Sequence, residues 1–379
     1  MKDKKYFCYE IFKNLSIWST QHRVGYNPCS VYKGFIKQTD NVDISKVWNS
    51  PEHNHLKKMI ANDEPIPGCQ ICYDEESSGR KSRRQSVKET YENFHEDTTI
   101  DLDSPQGLDY SVGNLCNLKC LICGPDDSTA WINDYQLLYP NKSIKQFKYK
   151  KNLQNVLNDN NMLKNIKTLH FHGGGEPLLS DTHYKLLQKI DETKGLHDVR
   201  VFYNTNGTVK PNQKTLDIWE KCLLIEIYFS LDDIGERFNY QRTGANWGEV
   251  VDNIDFMKHY MPHNHMFKIN CVWSLLNLFY LDEIYSWYEK NLKTNKYGDH
   301  TDFIFQKAIG KCKVVCLKTQ TKNKLLKKFE KYPTLQNLVK NIDEDDTFDN
   351  YSFWQYIKKI DSIRKKNFNE ICSEWSKLI

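Results

Sequence analysis

Cys116, Cys120 and Cys123 stand in the run Gly113-Asn114-Leu115-Cys116-Asn117-Leu118-Lys119-Cys120-Leu121-Ile122-Cys123. Thiolates are soft ligands that suit iron–sulfur clusters. Three at CxxxCxxC spacing can hold three irons of a four-iron cluster and leave the fourth iron open, which makes it a place for chemistry. A structural zinc site is the alternative. Such sites usually pair one CxxC with another, and no adjacent fourth ligand accompanies this run.

Two further groups of residues could take part. His172-Gly173-Gly174-Gly175-Glu176-Pro177 follows about one β/α unit later, and its glycines permit close backbone approach by a ligand. Cys8, Cys29, Cys69 and Cys72 form a second set, C-x20-C-x39-C-x2-C, able to hold either a cluster or one zinc. The basic knot Arg80, Lys81, Arg83 and Arg84 comes next; it reads as solvated surface or, in part, as a binder of an anionic substrate group. His170 and His172 alternate on a strand and so share a face, with His172 nearer the glycines. The other cysteines, Cys222, Cys271, Cys312, Cys316 and Cys372, are expected to pack in the core.

Elements that would position these groups alternate along the chain. Strands are expected at Leu108–Val112, Ile166–Phe171, Val199–Tyr203, Leu223–Phe229 and Phe267–Trp273, with others about Phe303 and Val314. Helices are expected at Asp126–Leu138, Lys150–Asn158, Thr182–Glu192, up to Cys222, at Trp247–Tyr260 and at Leu281–Leu292. Repeated βα units favour a parallel sheet or barrel, with chemistry at the C-terminal strand ends. The fold expected is α/β, a partial (β/α)6 barrel over residues 99–318. A cysteine-rich segment with a linking helix precedes it over 1–98, and a helical extension follows over 319–379. In that tail Phe353, Trp354 and Tyr356 are expected to pack a helix.

With 379 residues, 39% hydrophobic and 27% charged, the chain has the composition of a globular protein. A net charge of +4 gives nucleic acid little support as a partner. No apolar run nears the ~18–20 residues of a membrane span, and the N-terminus lacks a signal peptide's apolar stretch. The expected location is cytoplasmic, where clustered cysteines among the 12 read as metal ligands.

The cysteine run together with the glycine motif resembles the radical S-adenosylmethionine (SAM) enzymes. The resemblance implies an open 4Fe-4S cluster that binds SAM and, once reduced, cleaves it to methionine and a 5′-deoxyadenosyl radical. That radical would abstract hydrogen from a substrate carbon. It implies that Gly173, Gly174, Gly175 and Glu176 hold the methionine amino group and that Asn206, in Thr205-Asn206-Gly207, meets the ribose. Ser230 and Arg242 would hold the carboxylate. It also implies a flavodoxin- or ferredoxin-type electron donor. One departure is Ile122, where the family usually has an aromatic residue.

The second cysteine set looks like the SPASM/twitch segment of the same enzymes, implying an auxiliary 4Fe-4S cluster. Here the segment precedes the barrel instead of following it, and its glycine-to-cysteine step is one residue shorter. Relatives with such segments mostly modify peptides, so a peptide or protein substrate is expected. The stretch ahead of residue 8 shows no leader-recognition domain, which keeps a small-molecule alcohol or sugar dehydrogenase as the runner-up. Modification of tRNA is a more distant third.

Overall fold

The computed structural model describes residues 4–19, 24–39, 44–77, 81–94, 103–147, 156–261, 264–293 and 302–379. Most of the helix expected at Lys150–Asn158, together with Arg80 and the domain boundary at 98/99, lies outside the described residues.

Thirteen strands run in chain order among the described residues. They are β1 Asn14–Ser19, β2 Val24–Asn27, β3 Lys37–Thr39, β4 Gly107–Ser111, β5 Lys119–Cys120, β6 Thr168–His172 and β7 Arg200–Thr205. After these come β8 Leu224–Ser230, β9 Arg242–Thr243, β10 His265–Trp273, β11 Asp302–Lys307, β12 Cys316–Leu317 and β13 Asp343–Glu344. Nine of them make one sheet in the order β11-β10-β8-β7-β6-β4-β1-β2-β3. From β11 to β1 every pairing is parallel, and β2 and β3 close the far edge antiparallel. Strands β4, β6, β7, β8, β10 and β11 lie in sequence order, as successive βα units require.

Period-two burial explains the layering. Leu169, Phe171, Val201, Tyr203, Ile225, Ile227, Phe229, Ile269 and Cys271 on one face are fully buried. Over that face lie the buried stripes of Thr182–Lys194 (Leu186, Leu187, Ile190), Trp247–Tyr260 (Val250, Ile254, Met257) and Leu281–Asn291 (Leu281, Ile284, Tyr288). The opposite face is polar. There Asp109 aligns with His170 and then Phe202, and Ser111 aligns with His172.

The N-terminal segment joins the sheet, where β1 pairs parallel with β4, Leu15 opposite Leu108 and Ile17 opposite Tyr110. Two expectations need correction. No strand forms at Val314, which is buried outside any element; β12 follows it and pairs only with β13. The helix expected from Asp126 begins at Ile132, after a 3-10 turn over Thr129–Trp131, because the Ser128 side chain caps that turn by accepting from the Ala130 N–H.

The C-terminal helices fold back over the site side of the sheet. Tyr356 donates to the Leu121 carbonyl (2.8 Å), the Arg364 Nε to Asp134 (2.8 Å) and the Trp375 indole to the Leu275 carbonyl (2.7 Å). Phe353 and Trp354 pack on each other and on Phe368. The core cysteines Cys222, Cys271, Cys312, Cys316 and Cys372 are buried free thiols. No helix among the described residues is long and apolar enough to cross a membrane.

Candidate active site

The cysteine loop leaves β4 through Gly113, whose φ of +91° suits glycine. Asn114 pins the loop from inside, donating to the carbonyls of Pro125 and Phe147 (both 2.9 Å). The Ser128 hydroxyl donates to the Leu118 carbonyl (2.6 Å) and the Trp131 indole to that of Cys120 (2.8 Å). Strand β5, carrying Cys120, pairs with β9, carrying Arg242. These bonds fix the backbone while leaving the three sulfurs free. Cys120 is buried; Cys116 and Cys123 are half-buried.

The sulfurs face donors. The Leu118 N–H lies 3.5 Å and the Asn206 amide 3.7 Å from the Cys116 Sγ, and an Arg242 Nη lies 3.7 Å from the Cys120 Sγ. A hydrogen bond from Cys123, with the Arg242 guanidinium, holds the Cys120 thiol below its ordinary range, and the same bond with burial raises Cys123. The Arg242 Nη2 also pairs with Asp232 (2.7 Å), while its buried Nε has no partner. Such an orphaned donor beside three thiols fits an additional acceptor at the site. Among the described residues no three His, Cys, Asp or Glu side chains converge on the position of a single ion.

The glycine motif is stitched onto this loop. The Gly175 N–H donates to the Asp127 carbonyl (2.7 Å) and the Glu176 N–H to that of Leu115 (2.8 Å). A Cβ on Gly174 would stand 2.7 Å from the Asp127 Cα, and one on Gly175, at φ +86°, 2.8 Å from the Gly113 carbonyl oxygen. Both neighbours are backbone and cannot give way. Gly175→Ala is therefore expected to cost ~2 kcal/mol or more, a dihedral term of ~1–2 plus the clash. Gly34→Ala, at φ +92° in open space, should lose the dihedral term alone. Denaturant unfolding of the two variants checks the difference; equal losses would mean that the close approach is unimportant.

Glu176 lies beneath the motif. It accepts from the Asn206 N–H (2.7 Å), the Thr205 hydroxyl (2.8 Å) and the Leu178 N–H (3.2 Å). Burial nevertheless pushes its carboxyl up to about 7. The Asn206 amide reaches both Cys116 and the Asn117 side chain (3.1 Å), so the ends of β6 and β7 meet at the cysteine loop.

Ser230, at the end of β8, opens with Asn204, His170 and His172 onto a cavity of about 580 Å³ on the polar face of the sheet. Residues from β1 to β11 line it, so the sheet curls around it. His172 is buried against the edge of Trp18 (centroids 4.5 Å) and stands 3.3 Å from the Ser16 hydroxyl; burial holds its ring down to about 3, and it is neutral. His170 stands 3.6 Å from Asp109, and its other ring nitrogen is 2.8 Å from the Asn204 amide.

The second cysteine set also gathers. Cys8, Cys29, Cys69 and Cys72 line one pocket, together with Arg83 and Arg84, and all four are free thiols. Burial raises every one of them, Cys69 to about 12. The wall between this pocket and the cavity is Arg83, which pairs with Glu10 (2.7 Å) and Asp109 (3.3 Å). The described part of the basic knot is thus not a solvated run: Arg84 pairs with Glu76, and among these three only Lys81, bound to Glu89, is exposed.

Sequence reasoning missed Glu10, Asp109 and Arg83 as a unit, since their separations of 26 and 73 residues carry no local signal. It also passed over Asp232, which ties the segment after β8 to Arg242. The pairing of a buried arginine with an acidic residue was available as a signal only in Ser230-Leu231-Asp232-Asp233 itself.

Three solved structures have partial likeness. Native anSMEcpe with bound AdoMet is 20% identical over 63% of this chain and 63% of its own, at a TM-score of 0.41. This chain therefore spans less than two thirds of that structure's length. SuiB of Streptococcus suis is 13% identical over 87% and 70%, at 0.36. The radical S-adenosylmethionine methyltransferase TsrM from Kitasatospora setae is 12% identical over 54% and 37%, at 0.32. No curated protein matches the chain. The family model of the radical SAM superfamily matches residues 110–272, from within β4 to within β10, which is less than half of the chain.

Proposed function

We propose that the chain is a radical SAM enzyme that uses a partial (β/α)6 barrel to cleave SAM and abstract hydrogen from a peptide or protein substrate. The observation that carries this reading is the meeting of the β6, β7 and β8 ends on the three-cysteine loop, with Gly173 and Ser230 of those ends also in the cavity wall. Cys116, Cys120 and Cys123 would hold the cluster, which would supply the electron for reductive cleavage of the C5′–S bond of SAM.

The chain's own residues position the reactants. Gly173 to Gly175, held against the cysteine loop, would take the amino group, and Glu176 places the Asn206 amide beside Cys116, toward the ribose. The unpartnered Arg242 Nε and the Ser230 hydroxyl are offered to the carboxylate. Cys8, Cys29, Cys69 and Cys72 would hold an auxiliary 4Fe-4S cluster across the Arg83 wall.

With anaerobically reconstituted protein and dithionite, SAM is expected to yield 5′-deoxyadenosine and methionine, and calorimetry is expected to register SAM binding. No binding and no cleavage would sink the reading. Deuterium recovered in 5′-deoxyadenosine from a labelled peptide, and not from labelled alcohols or sugars, would separate the peptide substrate from the small-molecule alternative.

A further inference from the structure

The outer side of the cysteine loop carries a second concavity, a groove of about 310 Å³ that shares no lining residue with the substrate cavity. Ile122, Cys123, Tyr139, Ile309, Lys311 and Tyr356 are in its wall. Ile309 is 84% exposed beside it. Lys311 stands 3.1 Å from the Tyr139 hydroxyl and 5.3 Å over the Tyr356 ring, while Lys142 lies 5.0 Å over the Tyr139 ring. Lys313, two residues on, is exposed. None of these three lysines pairs with a carboxylate among the described residues. The loop's own acidic residues, Asp126 and Asp127, do not line the groove.

We infer that this groove is the docking surface for a small acidic one-electron carrier protein that reduces the cluster site. The inference rests on the proposed reading of Cys116, Cys120 and Cys123 as a redox centre. SAM cleavage consumes one electron per C5′–S bond, so each turnover needs one delivered from outside. Electron transfer weakens steeply with distance, and Cys123 is the cysteine of that loop which meets the groove. An apolar, aromatic floor with a cationic rim suits an acidic partner: the rim steers the encounter and the rings supply desolvated contact. The chain's overall charge of +4 is too small to steer by itself, so the lysines' local placement is what gives the surface its selectivity.

The test is the double reversal Lys142→Glu/Lys311→Glu in reconstituted holoenzyme, with Lys164→Glu, an exposed lysine elsewhere, as control. The probe is an acidic flavodoxin. Its Kd by calorimetry at low salt is expected to weaken at least ten-fold in the double variant and to lose most of its salt dependence. SAM cleavage driven by reduced flavodoxin should slow by a similar factor, with dithionite-driven cleavage and the Lys164→Glu control unchanged. Wild-type flavodoxin affinity and reduction rate in the double variant would overturn the inference, as would an absence of flavodoxin binding by the wild type. Absence of dithionite-driven cleavage in the wild type would instead defeat the underlying reading of the cluster.

Discussion

Changing Cys116, Cys120 and Cys123 together to alanine is expected to abolish 5′-deoxyadenosine formation and to lower iron from about eight to about four per chain. The loop's backbone bonds run through Asn114, Ser128 and Trp131, so the fold should survive the loss of the thiols. Only the soft ligands go, and with them the one place where the Arg242 and Asn206 donors converge on sulfur. About four irons in the wild type falling to none would keep this site and reassign Cys8, Cys29, Cys69 and Cys72 to zinc or packing. Iron indifferent to the triple change would sink the assignment. Anaerobic reconstitution followed by iron and sulfide analysis decides among these.

The reach of the sequence follows from sequence separation. The cysteine loop and the glycine motif are local patterns whose chemistry requires residues at fixed short spacing, so they could be read directly. So could the strands: Trp247–Tyr260 forms as a helix with the expected ends, and β6, β7, β8 and β10 fall within a few residues of expectation. Val314 misled because an apolar stretch fits a buried loop as well as a strand. The β1–β4 pairing joins segments about ninety residues apart, and nothing in either strand names its partner. The same blindness hid the tail's part in the site, where Tyr356 fastens the cysteine loop at Leu121 and Arg364 holds Asp134 on the following helix, each from more than two hundred residues away. Long-range polar contacts carry little signal in one sequence, because an arginine that will be buried looks like any other in a basic run.

Arg83 is the costliest of those hidden residues to remove. Arg83→Met leaves Glu10 and Asp109 buried on the wall between the two cysteine sites without their shared counter-charge. Breaking a buried ion pair from one side typically costs ~3–5 kcal/mol, and the lower end is expected because the Arg83 side chain is 29% exposed. The pH dependence gives the cause. Burial alone would push the Asp109 carboxyl up, but Arg83 and then His170 outweigh it and hold it well below the usual carboxylate range. A carboxyl depressed in the folded state contributes stability above its unfolded value of 3.8, and that contribution is lost as pH falls. In Arg83→Met burial acts unopposed by the guanidinium, so ionised Asp109 becomes a cost that protonation relieves. The gap in unfolding free energy between wild type and variant should therefore be widest near neutral pH and should narrow on acidification toward pH 4. Arg83→Met/Asp109→Asn, which removes one stranded charge, should recover part of the loss at pH 7. A gap that stayed constant with pH would mean that Arg83 supports the wall by packing, through the aliphatic part of its side chain, and not by charge.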